Sequence, residues 1–159
     1  MVRTIHEAES RKKAYSELTQ NGFETYLPLR RELRQWSDRK KWVEAPVINS
    51  YIFVRVTKLE YRKVFEVRHI VGYVSYKGKA VPIPDKEIEV MKRAVENKLS
   101  FTVEMGTLKK GKTVTFTAGP LKGITGEITD IKGVKKIYLR VKHAGFTLVV
   151  NLEEGMLSE

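Results

Sequence analysis

In residues 5–22, IHEAESRKKAYSELTQNG, Ala8, Arg11, Tyr15 and Leu18 recur at i, i+3, i+7 and i+10. That spacing marks one side of an amphipathic helix. Glu7 to Arg11 and Glu9 to Lys13 are i,i+4 pairs on its wet side. Asn21-Gly22 predicts the stop, because both residues tolerate a left-handed backbone. FETYLPL follows as a strand, with Pro28 pointing to an edge or a bulge. In YIFVRV, residues 51–56, the period changes to two. Ile52, Val54 and Val56 share one face, and Tyr51, Phe53 and Arg55 share the other. The arginine argues against a deep core on its side, so the aliphatic face is expected to meet the helices. The aromatic face is then open, or covered by a partner, the second domain or an arm.

KLEYRKVFEVRH suits a second helix with Tyr61, Val64 and Phe65 inward. IVGYVSY is a strand, KGK a turn, and DKEIEVMKRAVENK a third helix with Pro84 in its first turn. Asp85 and Glu87 sit near its positive end, and Ile88, Met91 and Val95 make its buried stripe. This order matches a split β-α-β sandwich of ferredoxin type, with Met1 to Thr4 left for the first strand. LSFTVEMGTL breaks the helical pattern and reads as a linker. Beyond it KTVTFT, ITGEITDI, KKIYLRVK and FTLVVNL are short strands joined by glycine turns, the texture of a small closed barrel. The fold class expected is α+β: a sandwich domain over 1–97, a linker over 98–106 and a barrel over 107–159.

Composition sharpens this. The 159 residues are 42% hydrophobic, enough for real cores, and the net charge is +11. Residues 1–106 carry +7 and residues 107–159 carry +4, which favours a polyanion or an acidic protein surface as partner. No cysteine is present, so disulfides and thiolate chemistry are excluded. No apolar run approaches the roughly 20 residues of a membrane span. The start, MVRTIHEAESRKK, has no apolar signal core, so a soluble cytoplasmic protein is expected; the expected oligomeric state, a separate matter, is a monomer.

Catalytic patterns are weak. His6, His69 and His143 lack the spacing of a zinc or catalytic site, and Asp38, Asp85 and Asp130 are scattered. GPLKGITG lacks the lysine-serine/threonine ending of a nucleotide loop. The expectation is a binding protein without reaction, metal or cofactor. Binding signals are denser. Residues 30–41 hold Arg30, Arg31, Arg34, Arg39, Lys40 and Lys41 against Glu32 and Asp38, a basic arm suited to phosphate. Ser37-Asp38 offers its turn. Trp36 and Trp42 could stack on a splayed base, pack on each other, or pin down a solvated hairpin. The barrel is basic as well, from Lys109 to His143, which suits RNA or an acidic protein. Ile124 and Phe146 favour protein docking if exposed and are core otherwise.

YLPLRRELRQWSDRKKWVEAPVINSYIFVRV and VGYVSYKGKAVPIPDKEIEVMKR resemble the amino-terminal (NGN) domain of the NusG family of transcription elongation factors. GKTVTFTAGPLKGITGEITDIKG resembles its KOW motif, on an SH3-like barrel. YLPL and QWSDRKKW look most like the specialised RfaH-like and UpxY-like paralogues, which act on long operons, often for surface polysaccharide. The resemblance implies an elongation or antitermination factor. Its first domain would dock on the clamp helices of the largest catalytic RNA polymerase subunit and promote processive transcription. The polymerase-facing positions it implies are Val47, Ile48, Tyr51 and Phe53, with Tyr15 added. The arm, Arg34, Trp36, Arg39, Lys40 and Lys41, would face polymerase or upstream and non-template DNA. The KOW domain would dock on a small-subunit ribosomal protein of antitermination complexes, or on Rho, through Leu121, Ile124 and Phe146. Gly119, Gly123 and Gly126 would supply turns and close packing. The chain departs from the family in lacking an initial tryptophan-tyrosine pair, and in Asn49-Ser50, where many members have proline and glycine. The alternatives are a ribosome-associated RNA-binding protein built on the KOW barrel and a general factor that recruits Rho.

Overall fold

Helix α1 (Ala8–Gln20) forms on the predicted spacing, with Ala14 and Leu18 fully buried. The structure is a computed structural model that describes residues 2–4, 8–106, 108–131 and 133–151; His6 and Lys132 lie outside the described residues. Arg11 is buried on the same helix, and burial lowers its pKa. The stop is where Asn21-Gly22 placed it. The Phe23 N–H donates to the Leu18 carbonyl at 3.1 Å and the Gly22 N–H to the Thr19 carbonyl at 3.0 Å, with Gly22 at φ 82°. This is a Schellman closure, and it brings Phe23 and Leu18 into one core cluster.

The chain divides into two compact units, Met1–Pro82 and Ile83–Glu159. In the first, β1 (Val2–Thr4) precedes α1. After the helix come β2 (Glu24–Tyr26), β3 (Leu29–Gln35), β4 (Lys40–Pro46), β5 (Tyr51–Arg55) and β6 (Ile70–Tyr73). One sheet has the order β2-β5-β1-β6, antiparallel throughout, while β3 and β4 pair only with each other. With that hairpin set aside, the first and third strands are central and the second and fourth are edges, the arrangement expected of a split β-α-β sheet. Ile52 is buried in the cluster with Ala14, Leu18 and Phe23, and Val54 and Val56 pack against it. The predicted aliphatic face therefore meets the helix.

Several expectations need correction. FETYLPL is not one strand: Leu27-Pro28 breaks it, and the buried Pro28 gives its carbonyl to the Val47 N–H at 2.8 Å. The second helix is a single 3-10 turn, Lys63–Glu66. In the turn that precedes it, the Thr57 N–H donates to Glu60 Oε2 and the Glu60 N–H to Thr57 Oγ1, the reciprocal pair of a capping box. Val64 and Val67, three apart, are both buried, which fits the 3-10 repeat. Tyr61 and Phe65 are not inward. They are exposed and pack on Tyr73, with ring centroids at 4.3 and 5.4 Å. The Tyr73 hydroxyl donates to the Tyr61 carbonyl, and burial pushes its pKa up to about 12. β7 (Ser75–Tyr76) and β8 (Lys79–Ala80) form a small hairpin. Its turn residues Lys77 and Gly78 have φ 49° and 75°, both positive as a two-residue hairpin turn of the I′ type requires.

The second unit holds α2 (Asp85–Glu96), β9 (Phe101–Met105), β10 (Lys112–Thr115), β11 (Thr125–Ile131), β12 (Val134–Val141) and β13 (Phe146–Asn151). Its antiparallel sheet has the linear order β10-β11-β12-β13-β9, with β10 and β9 at the ends, so no closed ring of pairings is seen among the described residues. The segment expected as linker, 98–106, contains β9, whose Phe101 and Val103 pair with Val150 and Leu148. Their alternation with Thr102 and Glu104 is the period-two signal that the linker reading passed over. The helix expected in the first domain falls in the second unit. Met91 and Ala94 are its buried residues, Ile88 and Val95 are half-buried, and two polar contacts tie it to the loops of the second sheet. The Arg93 guanidinium donates to the Lys122 carbonyl at 2.8 Å, and His143 Nδ1 lies 2.7 Å from Glu87 Oε1.

Gly126 lies where a Cβ would approach Leu139 and Phe116 side chains at 3.0 and 3.1 Å, so its role is close packing. Gly119 and Gly123, at φ 70° and 82°, serve the turn between β10 and β11. At Gly111 a Cβ would collide with the Ile128 carbonyl oxygen. The backbone there is held by an ion pair with little solvent contact. Arg140 donates to both oxygens of Glu127 at 2.8 Å and to the Lys109 carbonyl at 3.0 Å, while the Gly111 N–H donates to Glu127 Oε2. The Arg140 hydrogen bonds, outweighing burial, hold the Glu127 carboxyl down at about 2.

Two outcomes follow. A folded-state value of about 2, below the ordinary 4.5, contributes stability that is complete above pH 4.5 and is lost as pH falls toward 2. Glu127→Gln should therefore lower stability by about 3 kcal/mol at pH 7, a deficit that closes near pH 2, as read by urea denaturation at both pH values. Lys98 ends α2 at φ 53°, with the Leu99 N–H donating to the Ala94 carbonyl, a position where glycine fits without strain. Lys98→Gly should raise stability by about 1 kcal/mol in the same assay.

Candidate protein and nucleic-acid interfaces

The basic arm is longer than the sequence indicated: β3 and β4 pair from Leu29–Pro46 out to Gln35–Lys40. The Trp36 N–H donates to the Arg39 carbonyl at 2.8 Å, which carries the ladder one step further and leaves Ser37-Asp38 as the turn. Opposed residues in an antiparallel ladder share a face. Arg31–Glu44, Leu33–Trp42 and Gln35–Lys40 therefore lie on one face, and Arg30–Ala45, Glu32–Val43 and Arg34–Lys41 on the other. Trp36 and Trp42 remain 56% and 58% exposed, and Leu33 48%. The Arg31 guanidinium sits 5.9 Å from the Trp42 ring centroid, close enough for a cation–π contact.

The charges of the arm are not equivalent. The Arg34 guanidinium donates to Glu32 Oε1 at 2.7 Å, and Arg30 Nε lies 3.8 Å from the other oxygen of Glu32. Arg39, Lys40 and Lys41 are exposed and form no ion pair among the described residues. They keep their full field for an external anion. An exposed pair such as Arg34–Glu32 is worth about 0–1 kcal/mol and yields readily to a competing phosphate.

The apolar surface implied at the start of β5 has a different character from the open patch expected. Val47 and Ile48 are buried, and so is Phe53, 5% exposed and packed on Tyr26 with ring centroids at 6.1 Å. Tyr51 is half-buried. Ser50 has φ 65°, so the turn survives with serine in the left-handed region. Tyr15 is not brought together with these residues. It packs against the cluster containing Ile52, on the face of the sheet opposite Tyr51 and Phe53.

In the second unit, Leu121, Ile124 and Phe146 are likewise buried rather than rim-exposed. The turn that carries the first two is closed by the Gly123 N–H donating to the Phe116 carbonyl at 2.7 Å and the Ile124 N–H to the Leu121 carbonyl at 2.9 Å. His143 is structural, its N–H and Nδ1 both directed at the Glu87 carboxylate. An open cavity of about 380 Å³ is lined by Leu108, Lys110, Glu127, Arg140, Lys142 and Phe146; two of its charged groups, Glu127 and Arg140, bind each other. Among the described residues no three His, Asp or Glu side chains converge as metal ligands, and no helix is long and apolar enough to cross a membrane. Sequence reasoning missed the Leu33–Trp42 pair, which counting back from a Ser37-Asp38 turn would have found.

The chain thus carries a split sheet bearing a basic hairpin, followed by a five-stranded antiparallel sheet. Residues 1–92 match the model of a family described as transcription termination factor nusG. A solved structure described as domain interaction in Thermotoga maritima NusG is similar in fold, with a TM-score of 0.51 and 24% identity over 94% of this chain and 89% of that one. No curated protein matches the chain. The chain belongs to the NusG family, and its general role is that of a NusG-type factor in transcription elongation.

Proposed function

We propose that the chain binds the clamp helices of the largest catalytic RNA polymerase subunit and promotes processive transcription, in the antitermination sense. The observation that carries this reading is the extent of the NusG-family match, which takes in the whole sheet, the hairpin and β5. The functional first domain would run to residue 97, with α2 included. Tyr51, half-exposed, would supply the outer apolar contact, with Val47, Ile48 and Phe53 behind it. Tyr15, across the sheet, would act by packing. Arg34, Trp36, Arg39, Lys40 and Lys41 would face polymerase or upstream and non-template DNA. The work done is a coupling free energy: binding the closed clamp better than the open one shifts that equilibrium. The hairpin adds an attraction that weakens with salt.

The finer form of the reading is an operon-restricted factor of the RfaH-like or UpxY-like kind, working in the cytoplasm as a monomer on a long polysaccharide operon. The second unit would engage a small-subunit ribosomal protein of antitermination complexes, or Rho. Contact through Leu121, Ile124 and Phe146 would require their uncovering, since all three are buried.

Reconstituted transcription over a long template, with and without the protein and Rho, tests this. Reduced pausing and greater read-through are expected. Increased Rho-dependent termination would reverse the regulatory sign, and tight binding of structured RNA without any effect on polymerase would favour the ribosomal alternative. Tyr51→Ala should lower polymerase affinity about tenfold, near 1.4 kcal/mol, with an unchanged melting temperature. Phe53→Ala empties a buried site and should lower stability by about 3–5 kcal/mol, so loss of binding there is accompanied by loss of fold.

A further inference from the structure

The hairpin has one exposed indole on each side. Trp42 lies on the face of Leu33, Arg31 and Lys40. The same alternation, carried past Gln35–Lys40 by the Trp36–Arg39 hydrogen bond, puts Trp36 and Arg39 on the face of Arg34 and Lys41. The two rings therefore cannot pack on each other, and more than half of each is in water. Packing does not account for them, since a tryptophan that only pinned the hairpin would bury most of its surface. Each indole stands among cations, and residues 29–46 together hold six basic and three acidic side chains.

We infer that the hairpin is a two-sided stacking element for forked nucleic acid, taking an unpaired base on Trp42 from one strand and an unpaired base on Trp36 from the other. This deepens, and rests on, the reading of the hairpin as the nucleic-acid-facing arm. An indole face accepts any unstacked base, and the neighbouring arginines and lysines accept the phosphates that precede and follow it. Intact duplex hides its base faces within the stack, leaving only the phosphate attraction. A lone strand reaches one face at a time. Two strands that diverge around the hairpin reach both, with Lys40 and Arg31 on one side and Arg34, Arg39 and Lys41 on the other. Leu33, beside Trp42, widens the apolar floor on that side only.

The chain has two tryptophans, so Trp36→Phe leaves Trp42 as the sole indole reporter and Trp42→Phe leaves Trp36. Both positions are exposed enough to accept phenylalanine without loss of fold. Each variant of the full chain is titrated with a DNA fork of two non-complementary tails, an RNA fork of the same sequence, one tail strand alone, and a blunt duplex. A fork of either sugar should quench both reporters with the same midpoint. It should bind about tenfold tighter than the lone strand, the effect of one additional base–indole stack. Affinity should fall between about 50 and about 200 mM salt. Quenching of only one reporter, equal affinity for the lone strand or the blunt duplex, or no response to either fork would overturn the inference. Polymerase binding by the unsubstituted chain, measured beside its fork binding, separates the two readings. A protein blind to forks that still binds polymerase leaves clamp docking standing and removes this proposal. Fork binding without polymerase binding does the reverse.

Discussion

In β5, successive side chains must leave opposite faces of the sheet, and that requirement divides Ile52 and Val54 from Tyr51 and Phe53. The first pair closes the core under α1, where Ala14 and Leu18 wait for it. The second pair lies on the face that the family resemblance implies for polymerase, with Tyr51 half-buried and Phe53 buried. A one-residue slip in register would exchange the two sets, so helix packing and the candidate docking surface are specified together. The register is fixed on both sides, by Val2 opposite Ile52 and by Tyr26 opposite Phe53. The same rule operating in the hairpin separates Trp42 from Trp36.

Long periodic stretches were legible in the sequence. α1, its glycine stop, the two faces of β5, α2 and four of the five strands of the second sheet all stand where patterning put them. Short stretches were not. The 58–69 segment has apolar residues that suit a helix, yet a 3-10 turn buries Val64 and Val67 at a spacing of three and leaves Tyr61 and Phe65 outside. β9 was hidden because glycine and serine flank a five-residue alternation. Of the candidate sites, the charged arm was legible because lysine and arginine are exposed almost wherever they occur. The apolar sites were not, because a sequence cannot say whether Phe53 or Phe146 faces a partner or its own chain.

Burial of Phe53, Leu121, Ile124 and Phe146 alters how the family's contacts should be pictured in this chain. The buried groups contribute shape and stability beneath a surface whose exposed chemistry is cationic and aromatic. On the proposed function, recognition would begin at Tyr51 and along the hairpin, where the side chains are accessible, and long-range charge attraction would precede any apolar contact.

The backbone at Gly111 lies so near the Ile128 carbonyl that no side chain of any kind fits between them. Gly119 and Gly123 are glycine for a softer reason, their dihedral angles, which asparagine can also adopt. Homologous chains that preserve the Glu127–Arg140 staple should thus keep glycine at the first position without exception while drifting at the other two. Divergence at Gly111 would mark a branch in which the strand pairing around it has been rebuilt.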